Sequence, residues 1–242
     1  MSDLTTQQSS ATTIQERVEH AIEGLIASCP DPAQLSPEER REIIARYAAV
    51  LEGNFIYWMT GAYLAVASEE AHAIIQENLR EEVRDNHPGM LRRFALAARA
   101  HPTDSDALAV LPELESVRRF VAGLSGVKIV LMMAFFEGFI SRFMPYLAEL
   151  AARQGSTEQQ YTSVHGVVDI EHTQGLFRAA EAEMVLMPDG CPPAEELLEG
   201  LDLLGRLIQS ILRPGQAGLT RGDQTWRAPS TPGPRDAVDG VP

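Results

Sequence analysis

The chain predicts an all-α fold, a helical bundle of seven or eight helices, on three observations. Apolar residues recur every three to four positions through most of the 242 residues, and no stretch alternates with the period of two that marks a half-buried strand. Start signals stand where the periodic segments open. The clearest is Ser36-Pro37-Glu38-Glu39, a capping box with Pro at the first helical position. Breakers separate the segments, among them His87-Pro88 and His101-Pro102, because the residue before Pro is pushed away from α geometry.

In chain order, the period predicts a first helix over 14–28 and a second from the capping box to about residue 66. A third opens at Ser68-Glu69-Glu70 and carries Glu81 and Glu82. Helix resumes over 91–100 after the His87-Pro88 break, and again over 104–124. The segment 126–153 carries Glu137, and 156–183 carries His165, Asp169 and His172. Pro192-Pro193 opens the last helix, to about residue 212. Residues 1–12, rich in Ser, Thr and Gln, and residues 214–242, rich in Pro and Gly, are expected to be disordered around a single domain over 13–213.

The charge balance is acidic, with 34 Asp and Glu against 20 Lys and Arg, a net charge of −14. No basic stripe is present to displace counterions, so a nucleic-acid partner is not expected. The longest apolar run, 129–140, is too short to span a bilayer and is interrupted by Glu137, so no membrane partner is expected. No basic and apolar leader opens the chain. Cys29 and Cys191 each precede Pro and form no disulfide framework, which fits a reducing cytoplasm.

Chemistry concentrates in Val164-His165-Gly166-Val167-Val168-Asp169-Ile170-Glu171-His172. His165, Asp169 and His172 stand at i, i+4 and i+7 and share one helix face. Two imidazoles and a carboxylate on one stripe are half of a metal site of the nitrogen and oxygen type that suits iron, manganese or zinc. Glu137 is the lone charge in its apolar run. Burying an ionised carboxylate is costly unless a cation or hydrogen bonds compensate it. A salt bridge to Arg142 or Lys128 is the plain alternative. Glu82 and His87 complete a set of three carboxylates and three imidazoles. Helix bundles build dinuclear sites from such inward-facing groups, although the repeated Glu-x-x-His of ferritin-like proteins is absent here.

The order Asn78-Leu79-Arg80-Glu81-Glu82…His87-Pro88, Phe136-Glu137-Gly138 and His165…Asp169…His172 resembles the haem-oxygenase-like diiron oxidases over about residues 40–185. The resemblance implies a haem-oxygenase-like bundle holding two Fe(II) per chain, with O2 as co-substrate. It implies Glu82, His87, Glu137, His165, Asp169 and His172 as the ligands and centre of catalysis. Glu81 is the alternative to Glu82, and Glu52 the nearest candidate for a further Glu that some members keep. The spacing of five between Glu82 and His87 puts them on different faces of a regular helix, and a single π-turn would align them. Asp85, Glu171 and Tyr161 are candidates to hold imidazole N–H groups.

The activity implied is O2-dependent oxidation of a free amino acid or similar small molecule by C–H abstraction, ending in desaturation, C–C cleavage or cyclisation in specialised biosynthesis. N-oxygenation of an amine and oxidation or decarboxylation of a fatty acid are the alternatives. With no Gly-rich nucleotide motif in the chain, electrons come from the substrate or a separate donor. That donor and a second copy of the chain are the partners this reading allows. Tyr57, Trp58, Phe135, Phe136 and Phe139 are candidate pocket residues, and Arg178 is a candidate for a substrate carboxylate. Outside the family, the readings are a haem protein using His20, a thiaminase-type enzyme using a Cys nucleophile, and a helical interaction protein without chemistry.

Overall fold

The computed structural model describes residues 2–187, 190 and 192–213. The tail expected to be disordered, 214–242, lies outside them, as does Cys191. Nine helices and no strands are found among the described residues: α1 (Ser2–Ala27), α2 (Pro37–Ala65), α3 (Glu69–Arg84), α4 (His87–Ala97), α5 (Asp104–Ala122), α6 (Gly126–Arg153), α7 (Gln160–Val185), α8 (Ala194–Leu197) and α9 (Glu199–Leu212). The chain is therefore all-α. The expected order holds, with the last segment split by the single-turn α8. Helix α1 begins at Ser2, ahead of the expected start at residue 14.

Caps explain most of the boundaries. Ser36 accepts from the Glu39 amide while the Glu39 carboxylate accepts from Ser36 N–H, so both orphan donors at the start of α2 are satisfied. Thr103 and Asp106 repeat the device at α5, and the Arg41 guanidinium donates to both oxygens of Asp106 at 3.1 Å, tying α2 to α5. The Glu183 carboxylate accepts from the Ala67 and Ser68 amides and so binds the end of α7 to the start of α3.

Helix α6 is the axis of the bundle. Every residue from Ile129 to Ile140 is buried, which is what a helix apolar all round requires. It packs against α7, α2, α9 and α1. Gly138 permits the tight approach beside Glu137, since a Cβ there would lie 2.9 Å from Ile22 Cδ1 and 3.4 Å from Thr173 Cγ2. Helix α2 kinks at Glu52-Gly53, where Gly53 takes φ +83°. No helix among the described residues is long and apolar enough to cross a membrane.

Candidate metal centre

Four helices deliver the six sequence-predicted ligands to the interior. His165, Asp169 and His172 are buried on one face of α7, as their spacing requires, and Glu137 is buried opposite them on α6. Glu82 closes α3. His87 opens α4. No π-turn joins Glu82 to His87. The helix instead ends at Arg84, and Asn86 takes the left-handed conformation (φ 54°), which Asn tolerates better than most residues. The Asn86 side chain then accepts from the Gly89 amide and caps α4. This reversal turns the imidazole back, so that His87 Nδ1 lies 2.6 Å from Glu82 Oε1.

The six side chains form two groups. Glu82, His87 and His165 offer one ligand atom each within 4.8 Å of one another, and so do Glu137, Asp169 and His172. The groups adjoin, because Glu137 lines the same small cavity as Glu82, His87 and His165.

Both outer imidazoles of α7 have one nitrogen tied to protein. His165 Nδ1 donates to the Tyr161 carbonyl at 2.9 Å. A carbonyl can only accept, so the neutral ring carries its proton on Nδ1 and leaves the Nε2 lone pair free. Burial pulls the His165 pKa down to about 4, which keeps that lone pair available at neutral pH. His172 Nε2 lies 2.8 Å from Glu81 Oε2, and its Nδ1 faces Glu137 Oε1 at 3.7 Å, too long for a hydrogen bond. Such pairings of the outward nitrogen with a carbonyl or carboxylate are the usual supports of metal-binding histidines.

The choice between Glu81 and Glu82 thus dissolves, because the two neighbours serve different groups. Glu82 stands among possible ligands, and Glu81 holds the far nitrogen of His172. Of the other expected supports, Tyr161 acts through its backbone carbonyl. Asp85 is exposed and paired with Arg84, and Glu171 is exposed. Glu52 stands apart in an ion pair with Arg92.

The site is short of positive charge. Among the described residues, none of Glu82, Glu137 and Asp169 pairs with Lys or Arg. Arg142 pairs with Glu19, and Lys128 with Glu196 and Glu199, so the salt-bridge alternative for Glu137 is not realised. Burial raises the pKa of Glu137, and burial together with the Glu137 charge raises that of Asp169. Burial opposes the charge on His172, but Glu137 and Glu81 outweigh it and lift its pKa to about 9. Glu137 Oε1, Asp169 Oδ2 and His172 Nδ1 are buried without a hydrogen-bond partner. Unsatisfied buried polar atoms cost about 1–3 kcal/mol each. Three of them converging on one point fit a bound cation.

The expected pocket aromatics are mostly core. Phe136 packs against Phe55 and Trp58 with ring centroids 6.0 and 5.3 Å away, and Tyr57 is exposed at the surface. Leu51, Phe55, Ile56, Pro88, Leu91 and Ile140 line the cavity beside Glu82 and His165. Only the kink in α2 and the turn at Asn86 bring these scattered residues together, so no local pattern announces them. Arg178 lines a separate cleft that includes Glu81 and His172. His20 is exposed on α1 beside Glu16, Glu19 and Glu23, a setting that gives a haem no enclosure. Cys29 is half-buried outside both groups, with its thiol pushed up to about 11 by burial, which makes a poor nucleophile. No protein-family model matches the chain, and no curated protein matches its sequence.

Proposed function

We propose that the protein is an O2-dependent oxidase or oxygenase of the haem-oxygenase-like diiron type, acting on a free amino acid or a similar small molecule. The observation that carries this reading is the pair of adjoining buried triads, three carboxylates and three imidazoles without a Lys or Arg counter-charge. Nitrogen and oxygen donors without thiolate suit iron among the available metals. Three ionised carboxylates nearly neutralise two Fe(II). When bound, the iron pair supplies electrons to O2 and the oxidising power to remove hydrogen from a C–H bond.

The protein's own groups have separable tasks. Glu82, His87 and His165 would hold one ion, and Glu137, Asp169 and His172 the other. The Tyr161 carbonyl and the Glu81 carboxylate keep the outward nitrogens of His165 and His172 protonated, so that the inward ones can coordinate. The apolar walls Leu51, Phe55, Leu91 and Ile140 keep bulk water from the Glu82 side. That cavity measures about 20 Å³, room for one water-sized molecule such as O2.

Anaerobic loading with Fe(II), followed by elemental analysis and O2-electrode assays over free amino acids, amines and fatty acids, tests the reading. The expected outcome is two irons per chain, fewer in His172→Ala, and O2 uptake accelerated by an amino acid. A wild type that binds no iron, or a His172→Ala variant with unchanged iron, overturns it. Product analysis separates C–H abstraction from N-oxygenation, and acceleration by fatty acids alone would move the substrate class.

A further inference from the structure

The centre has two unlike openings. On the Glu82 side lies the apolar cavity of about 20 Å³, too small for any organic substrate. On the His172 side, between α3 and α7, lies a cleft of about 420 Å³ in which Glu81 and His172 take part. His172 is 93% buried, and its unpartnered Nδ1 continues inward to Glu137. The larger opening therefore leads directly to one edge of the second triad.

The cleft carries opposite charges in a fixed order. Glu171, Gly175 and Arg178 stand at i, i+4 and i+7 on α7, so they share a stripe. Among the described residues, neither Glu171 nor Arg178 takes part in a hydrogen bond or ion pair, whereas Glu77 nearby is engaged with Arg80 at 3.4 Å. Gly175 lines the cleft between them, and its missing side chain lets Ile74 of α3 come close. A Cβ there would reach Ile74 Cγ2 at 3.1 Å and stand 3.8 Å from the Arg178 guanidinium. Seven residues of helix span about 10.5 Å. A molecule of amino-acid size fits between a carboxylate and a guanidinium reaching towards each other over that length, with Ile74 and Val167 as apolar walls.

We propose that substrate reaches the centre through this α3–α7 cleft over the Glu81–His172 edge, where Arg178 binds its carboxylate and Glu171 its ammonium. This deepens the reading above and rests on it. A guanidinium recognises a carboxylate through two parallel N–H donors, which a lysine cannot reproduce. Arg178 and Glu171 are binding residues, and neither is among the metal ligands. The division of labour follows from size: the small molecule, O2, uses the apolar cavity, and the zwitterion uses the polar cleft.

The test uses the full chain loaded with Mn(II), a redox-quiet stand-in for Fe(II). Calorimetric titration with the twenty free L-amino acids identifies the best ligand. Its decarboxylated and deaminated counterparts are then titrated into wild type, Arg178→Ala, Arg178→Lys and Glu171→Gln. Arg178→Ala should weaken the amino acid by about 10- to 100-fold, as expected for a charged hydrogen-bond pair. Arg178→Lys should recover only part of that loss. Glu171→Gln should weaken the amino acid but leave the deaminated acid unchanged. Paramagnetic broadening of ligand protons by Mn(II) should place the ligand beside the centre. Both side chains are exposed, and matching far-ultraviolet circular dichroism would show that the variants fold. If Mn(II) loads but no amino acid binds, or Arg178→Ala binds as wild type does, the cleft assignment is wrong and the metal reading stands. If no Mn(II) binds, both fall.

Discussion

Within the centre, Glu82, His87 and His165 are largely satisfied by the protein, whereas Glu137, Asp169 and His172 are not. In the first group, Glu82 lies at 2.6 Å from His87 Nδ1, and His165 donates to a backbone carbonyl. In the second, one polar atom of each residue is buried and unpartnered, and two carboxylates crowd one imidazole. The difference teaches that burial alone does not define a metal site. A paired group can persist on its own hydrogen bonds. A group with surplus carboxylates stores unfavourable charge, which a bound cation or added protons relieve.

The sharpest break of this comparison comes from Asp169→Asn. On the proposed reading it removes a ligand of the unsatisfied group in the iron-loaded protein, and O2-dependent activity should fall by more than about 100-fold, beyond the 10- to 100-fold typical of supporting residues. In metal-free protein the same change should stabilise the fold by about 1–2 kcal/mol, because it deletes a buried carboxyl that crowds Glu137 and leaves Oδ2 unpartnered. Glu82→Gln in the metal-free protein should do the opposite, since it disturbs a formed pair with His87. Denaturant unfolding of the two metal-free variants checks the signs, and equal signs would erase the distinction between the groups.

Glu81→Gln sharpens it. The amide keeps the shape but weakens the hold on His172 Nε2. Metal affinity at the second group should drop by about 10- to 100-fold with the first group unaffected, read as biphasic iron binding in a chelator competition.

pH separates the metal-free from the loaded protein. In the metal-free protein, His172 is raised from 6.5 to about 9, so its contribution is fully present below 6.5 and is lost as pH rises towards 9. The raised carboxyls of Glu137 and Asp169 act in the same direction, since they too bind protons more tightly folded than unfolded. His165, lowered to about 4, takes stability away as pH falls below 6.5. Metal-free stability should therefore decline from about pH 6.5 to 9. Iron binding needs deprotonated ligands and should strengthen over the same range. Urea unfolding of both forms across that window should give slopes of opposite sign.

The smallest effect belongs to the buried hydrogen bond behind the satisfied group. Tyr47 and Tyr161 hydroxyls lie 2.8 Å apart, and the Tyr161 ring packs on His165 with centroids 4.2 Å apart. Tyr161→Phe should cost about 0.5–1.5 kcal/mol of stability while iron content stays at the wild-type level, because the support of His165 is the Tyr161 backbone and not its hydroxyl.

Much of the centre was legible before any coordinates. The i, i+4, i+7 spacing on α7 needs only helical period to put His165, Asp169 and His172 on one face, and a lone Glu in an apolar run has few places to go. The Glu82–His87 pairing was legible as a pair but not as a geometry. Its spacing of five fits no regular helix, and the resolution is a chain reversal at a left-handed Asn86, which a π-turn had been expected to supply. The distinct roles of Glu81 and Glu82 were invisible, because adjacent residues on a helix differ by about 100° and only the position of α7 decides which meets which partner.

The sequence by itself determined that the chain is all-α, the order of its main helices, and which six side chains are candidates to hold metal. Those properties rest on local period, capping and the cost of burying charge, all of which act over a few residues. Tertiary structure alone decided how the six divide into two groups, which nitrogen of each α7 histidine faces inward, and that one opening is apolar and water-sized while the other is a charged cleft holding Arg178. Those properties depend on how α3, α4, α6 and α7 approach one another. Residues scattered from Leu51 to Arg178 become neighbours only when the core closes around α6, and no short-range pattern encodes that closure.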